Sequence, residues 1–105
     1  MYSEFDYLSA EILNDIETKI EALYKKYSDY TTTTYIPKIW QKNELVFVND
    51  ISNIEDSLEH LGNLLNYPNG WITSRNWDIT GINNISYKDI NRLLNNIEIL
   101  NKYND

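Results

Sequence analysis

Apolar residues recur at spacings of three and four positions in three separate stretches of the chain. This spacing places apolar side chains on one face of an α-helix, and it predicts helices at about residues 3–28, 50–65 and 87–102. Each predicted helix has one continuous apolar face that we expect to be buried. These faces consist of Phe5, Leu8, Ile12, Ile16, Ile20, Leu23 and Tyr27 in the first helix, Ile51, Ile54, Leu58, Leu61 and Leu65 in the second, and Ile90, Leu93, Leu94, Ile97 and Leu100 in the third.

Helix-start signals accompany all three stretches. Ser86 and Asp89 have the spacing of a capping box, in which a serine oxygen and a carboxylate each accept a hydrogen bond from an unpaired backbone N–H. The first helix has two alternative starts, which lie a turn or two apart. The N-caps expected for the other helices are Ser3 or Ser9 in the first and Asn49 or Asp50 in the second.

The stretches between the helices lack helical periodicity. Residues 31–34 are four threonines, Pro37 bars a continuing helix, and residues 45–48 form a short apolar run. These features predict extended linkers, with a short β-hairpin that turns near residues 42–44 and packs against the helices. Pro68, Asn69 and Gly70 predict a second turn. The fold class expected is therefore mainly α, as one small helical domain over residues 1–105.

The overall charge excludes two classes of partner. The net charge is −7, whereas binding to nucleic acid or to an anionic membrane requires clustered lysine and arginine. No apolar run approaches the ~18 residues that a membrane span needs, and the first residues do not resemble a signal peptide. An acidic chain suits a basic partner, and it is also the charge of a protein that mimics nucleic acid.

The side chains predict no catalytic or ligand-binding centre. The chain has no cysteine and a single histidine, His60, which we expect to be solvated on the polar flank of the middle helix. No pair of carboxylates stands out as an acid–base couple, and three glycines do not form a phosphate-binding loop. We therefore expect a protein without enzymatic activity, cofactor, metal ion or small-molecule ligand.

Four large side chains are the candidate partner-binding residues: Trp40, Trp71, Arg75 and Trp77. Tryptophan and arginine dominate the energetics of protein–protein interfaces. The alternative is that the tryptophans cover the helical core, for which their size suits them.

The chain also contains an internal repeat of the helical unit. Residues 8–16 align with residues 85–93 at an offset of 77, and the middle helix aligns more weakly with both. Trp40 precedes the middle helix much as Trp77 precedes the last. The repeated unit is an amphipathic helix of about four turns with a polar cap and, in two copies, a preceding tryptophan. The alternative is the similarity that any two amphipathic helices share.

The last copy resembles short segments that recur in tail, baseplate and fibre-associated structural proteins of bacteriophages of Gram-positive hosts. The matching residues are Trp77, Ile85, Ser86, Asp89, Ile90, Asn91, Arg92, Leu93, Asn95 or Asn96, and Ile97. Looser copies run from Leu8 to Ile20 and from Trp40 to Leu58. The resemblance implies a structural protein that docks virion subunits to one another without catalysing a reaction.

The expected function is that of a virion structural protein, an adaptor or attachment segment in the tail, baseplate or fibre. Its partners would be other virion proteins, with the chain itself as a homo-oligomer, and it would reside in particles assembled in the host cytoplasm. The alternative is an acidic inhibitor, encoded by a phage or mobile element, that occupies the nucleic-acid groove of a host defence nuclease. A third interpretation is a small scaffold encoded by the host.

Overall fold

The computed structural model describes residues 9–74 and 85–103, and within these ranges the chain is mainly α-helical. Helix α1 spans Ala10–Lys26, helix α2 spans Val48–Leu64 and helix α3 spans Tyr87–Lys102. The prediction of a mainly α fold with three helices is confirmed. The part of the first predicted helix at residues 3–8 lies outside the described residues.

A serine side chain caps each of α1 and α3. The Ser9 hydroxyl accepts a hydrogen bond from the Ile12 N–H at 3.1 Å, so α1 begins at the second of its two predicted starts. At α3 the Ser86 N–H donates to the Asp89 carboxylate at 2.8 Å, and the Ser86 hydroxyl accepts from the Lys88 N–H at 3.2 Å. The predicted capping box of α3 is therefore present.

The predicted N-cap of α2 is wrong by two or three residues. The N-cap is Phe47, and Asp50 lies at the third helical position. Asp50 still satisfies the helix start, because its carboxylate accepts a hydrogen bond from the Phe47 N–H at 2.8 Å. The physical reason is that Asp50 provides the carboxylate of a capping box, whereas Phe47 has no side-chain oxygen that could mark the N-cap in the sequence.

The core consists of one apolar face from each helix. The second and third helices begin 38 and 77 residues after the first, and the same four positions are buried in each. These are Leu13, Ile16, Ile20 and Leu23 in α1, Ile51, Ile54, Leu58 and Leu61 in α2, and Ile90, Leu93, Ile97 and Leu100 in α3. The repeat seen in the sequence thus corresponds to equivalent buried positions in all three helices.

Two tyrosine hydroxyls tie the end of α1 to the other helices. Tyr24 donates to the Ser57 carbonyl of α2 at 2.6 Å, and Tyr27 donates to the Leu100 carbonyl of α3 at 2.6 Å. Both rings are buried, so each phenol contributes apolar area to the core and still has a partner for its hydroxyl. These bonds fix the position of α1 along its two neighbours.

A buried cluster of charges joins α2 to α3. The Arg92 guanidinium donates to both carboxylate oxygens of Glu55, at 2.5 and 2.8 Å, and lies 3.1 Å from Asp89. Burial opposes the charge of Arg92, but its hydrogen bonds to Glu55 and the charges of Glu55 and Asp89 hold its pKa above the ordinary value. A forked guanidinium–carboxylate pair accepts little displacement, so the cluster specifies how the two helices face each other.

The expected β-hairpin is not supported. No strand is found in the described residues. Residues 31–40 have no regular secondary structure, and a turn follows at residues 42 and 43, where the Glu44 N–H donates to the Gln41 carbonyl at 3.0 Å. The physical reason is that backbone groups of this linker bond to side chains of α1 rather than to a second strand. The Lys38 N–H donates to Glu17, and the Trp40 N–H donates to Asn14.

We expect Leu93→Ala to lower the free energy of unfolding by about 2–5 kcal/mol, because Leu93 is fully buried and its truncation leaves a cavity. Urea unfolding followed by far-ultraviolet circular dichroism measures the change. Leu94→Ala, on the same helix at a half-buried position, is the matched control and should cost less. A change near zero for Leu93→Ala would show that α3 does not contribute its apolar face to this core.

Candidate functional site

The linker between α1 and α2 exposes four large apolar side chains. We call these four side chains the linker surface: Ile36 (84% exposed), Ile39 (75%), Leu45 (73%) and Phe47 (61%). Single exposed apolar residues are common, but several within twelve positions of one linker are not. Several exposed apolar side chains in one short segment are typical of a segment that another macromolecule covers.

A buried carboxylate holds this linker against α1. Glu17 is only 3% exposed, and it accepts hydrogen bonds from three groups of the linker. These donors are the Tyr35 hydroxyl, the Lys38 N–H at 3.2 Å and the Trp40 indole N–H at 3.0 Å. Burial, then the hydrogen bond to Glu17 and its charge, raise the pKa of Tyr35 well above the ordinary value. The phenol therefore stays protonated and remains a donor.

An asparagine holds the same linker a turn earlier in α1. The Asn14 amide accepts a hydrogen bond from the Trp40 N–H at 2.6 Å and donates to the Trp40 carbonyl at 3.0 Å. Both backbone groups of one linker residue are thus paired by a single side chain, as they would be by a neighbouring strand. The linker therefore gains the hydrogen bonds of an extended segment without a sheet.

This attachment determines which side chains point outward. Tyr35 and Trp40 turn toward α1, and Ile36 and Ile39, each next to one of them in sequence, are left in solvent. The Lys38 ammonium lies 4.0 Å from the centroid of the Trp40 ring and 2.5 Å from the Glu44 carboxylate. The hydrogen bond to Lys38 lowers the pKa of Glu44. Polar contacts therefore hold the part of the linker that carries Ile36 and Ile39 against α1.

The structure describes two of the four predicted partner-binding residues, and these two lie in different environments. Trp40 is 3% exposed and belongs to the core, which favours the core interpretation over the docking interpretation for this residue. Trp71 is half-buried, so part of its ring remains accessible. Arg75 and Trp77 lie outside the described residues. Of the two that the structure describes, Trp40 is therefore in the core and Trp71 keeps an accessible part.

Trp71 packs on α2 at a position where only glycine fits. A Cβ added to Gly62 would lie 2.6 Å from Cζ2 of Trp71, which is closer than real carbon atoms approach. The Trp71 indole N–H donates to the Glu59 carboxylate at 3.3 Å. The glycine that weakens the last turns of α2 as a helix former thus admits the tryptophan ring.

A small pocket opens beside Trp71. It has a volume of about 460 Å³ and is lined by Glu59, Tyr67, Trp71, Thr73 and the turn at residues 68–70. The Tyr67 and Trp71 rings are tilted by 58°, with their centroids 5.8 Å apart. A larger open groove of about 740 Å³ runs between α1 and α3, with Ala22, Leu94 and Ile97 among its lining residues.

The histidine and the acidic residues form no metal centre in the part of the chain that the structure describes. His60 is exposed and lies 3.0 Å from the Thr31 hydroxyl, through Nε2. Its ring also stacks on Tyr24, with centroids 6.3 Å apart. The histidine thus contacts the start of the linker. In the same described ranges, no helix is long and apolar enough to cross a membrane.

Sequence reasoning missed the linker surface. Ile36 and Ile39 lie on either side of Pro37 in a stretch without helical spacing, and the apolar run that contains Leu45 and Phe47 predicts one strand of a hairpin. A signal was present, since apolar residues in a segment that fits no amphipathic pattern have no core to enter. What the sequence did not contain was the direction in which each of these side chains points.

We expect Asn14→Ala to lower the free energy of unfolding by about 1–3 kcal/mol, because it leaves the Trp40 N–H and carbonyl without their partner. Hydrogen exchange of the Trp40 amide should accelerate more than exchange in the α3 core. Asn63→Ala, at an exposed position of α2, is the control and should leave Trp40 exchange unchanged. An unchanged Trp40 amide in Asn14→Ala would show that Asn14 does not hold the linker.

The chain was compared with protein-family models, with curated proteins and with solved structures. None of the three comparisons finds a match.

Proposed function

We propose that this protein is a non-enzymatic structural component of a tailed phage or phage-like particle, an adaptor or attachment segment in the tail, baseplate or fibre. The observation that carries the proposal is the linker surface. Ile36 and Ile39 are the most exposed large apolar residues of the described chain, and a neighbouring subunit would remove them from water. The resemblance of the helical segments to phage structural proteins supplies the particle context.

The way the linker is held supports docking. A flexible segment loses conformational freedom when it binds, and this loss weakens the complex. Here Glu17 and Asn14 already bond Tyr35, Lys38 and Trp40, so the linker surface has most of its ordering in place before a partner arrives. Preorganisation of this kind favours a stable contact between subunits.

The charge of the linker supports a second copy of the same chain as the neighbour. Residues 36–47 contain two lysines, Lys38 and Lys42, and one acid, Glu44, whereas the whole chain has a net charge of −7. Two copies that meet at this surface avoid bringing their acidic parts together, and closed symmetry is the common arrangement of homo-oligomers. The proposed contact is therefore between linker surfaces of adjacent copies.

A second candidate function is supported by α2. Between Val48 and Leu64 this helix carries Asp50, Glu55, Asp56 and Glu59 and no lysine or arginine. Glu55 is paired with Arg92, and the other three add negative charge that favours a basic groove. This is the charge expected of an acidic inhibitor that occupies the nucleic-acid groove of a host defence nuclease.

Self-association through the linker surface can be measured by size-exclusion chromatography with light scattering. We expect the wild-type chain to form oligomers at micromolar concentration and Ile36→Ser/Ile39→Ser to be monomeric, because the variant removes apolar area that the contact would bury. Ile72→Ser, an exposed isoleucine outside the linker surface, is the matched control and should behave as wild type. A wild-type chain that stays monomeric at high micromolar concentration would contradict the proposed contact.

A second experiment distinguishes a structural component of a particle from an acidic nuclease inhibitor. Mass spectrometry of purified particles should detect the chain in a fixed ratio to known tail proteins if it is a structural component. Its absence from particles, together with nuclease inhibition that weakens steeply as salt rises, would decide for the acidic inhibitor.

A further inference from the structure

The pocket beside Trp71 combines three features that each attract a positive charge. Its walls include two aromatic rings, Tyr67 and Trp71, whose faces carry negative electrostatic potential. Its floor includes the Glu59 carboxylate. The pocket also lies just beyond the carboxyl end of α2, where the helix dipole is negative and where the last turn contains no basic residue.

The backbone of the turn holds Tyr67 in place. Asn66 and Tyr67 have φ angles of 57° and 49°, in the left-handed region that residues other than glycine rarely adopt. The Tyr67 N–H donates to the Gly62 carbonyl at 2.7 Å, which ends the helix and turns the tyrosine ring toward Trp71. Gly70, with φ of 91°, completes the turn. The pocket wall is thus fixed by backbone hydrogen bonds.

Glu59 is held in position as well. One of its carboxylate oxygens, Oε1, accepts hydrogen bonds from the Trp71 indole N–H at 3.3 Å and the Ser74 N–H at 3.2 Å. Burial, and then the charge of Glu59 and a hydrogen bond to it, raise the pKa of Tyr67. The carboxylate therefore lies close to both rings, so a cation in the pocket would contact an anion and aromatic faces together.

We propose that this pocket binds the ammonium group of a lysine side chain presented by a partner protein. The aliphatic part of a lysine fits against aromatic rings, and its charge complements Glu59 and a chain with a net charge of −7. The pocket volume of about 460 Å³ admits one such side chain. This site is separate from the linker surface and does not depend on whether the chain is part of a particle.

The test follows the indole N–H signals of the folded chain by nuclear magnetic resonance, with the Trp71 signal assigned through Trp71→Phe. The probes are Nα-acetyl-lysine methylamide and Nα-acetyl-norleucine methylamide. They differ only by the side-chain ammonium group, which the norleucine probe lacks. We expect a saturable shift of the Trp71 signal with the lysine probe, and at least tenfold weaker binding of the norleucine probe. Equal shifts with the two probes, or no saturation with either, would overturn the proposal.

Matched variants separate local binding from general attraction to an acidic protein. Glu59→Gln and Tyr67→Leu should each lower the affinity for the lysine probe at least fivefold. Asp56→Asn removes the same charge from an exposed position of α2 outside the pocket, and it should change binding less than twofold. Equal losses of affinity in Glu59→Gln and Asp56→Asn would show that the probe responds only to the net charge of the protein. That result would overturn the assignment of a site.

The chain's own arginine provides a further control. Arg75 follows Ser74 directly in the sequence and lies outside the described residues. If the pocket serves a partner, the lysine probe should bind the wild-type chain and Arg75→Gln within twofold of each other. Binding that appears only in Arg75→Gln would show that an internal guanidinium fills the pocket, and it would overturn the assignment to a partner.

Discussion

Each of the three helices has one apolar face, and each face is buried only by packing against the other two helices. A single helix of 16 or 17 residues is marginal by itself, so its stability comes from packing. The four buried apolar positions repeat in all three helices, so that each presents a similar surface to its neighbours. This mutual burial is the constraint that positions the linkers and the surfaces they expose.

Polar groups in the core select one arrangement of the three helices among those that would bury the apolar faces. Glu17, Glu55, Asp89 and Asn96 are all buried, and among the described residues every buried side-chain nitrogen or oxygen has a hydrogen-bond partner. Glu55 and Asp89 bond Arg92 between two helices, whereas Glu17 bonds the first linker. Buried polar groups cost free energy unless they are satisfied, so alternative packings that separate them are disfavoured.

Asparagine performs the same task in both linkers. Asn14 pairs the N–H and carbonyl of Trp40, and Asn96 pairs the N–H and carbonyl of Ile72 at 3.0 and 2.9 Å. In each case a helix side chain takes the place of a neighbouring strand. In the residues that the structure describes, both linkers can therefore lie against the helices without a sheet, and they expose the side chains on which the proposed contacts depend.

The sequence by itself determined the three helices, most of their buried faces and two of their caps, because helical periodicity and capping are local and each is set within a few residues. The predicted face of α1 was wrong at one position, because Leu13 is buried and Ile12 is only half-buried. It also determined the turn at residues 67–70 and the repeat of the helical unit. Only the tertiary structure decided that Trp40 enters the core, that residues 35–40 bond to α1, and that Ile36 and Ile39 face solvent. Those outcomes depend on contacts between residues 18 or more positions apart, such as Trp40 with Glu17 and Asn14, for which the chain carries no local signal.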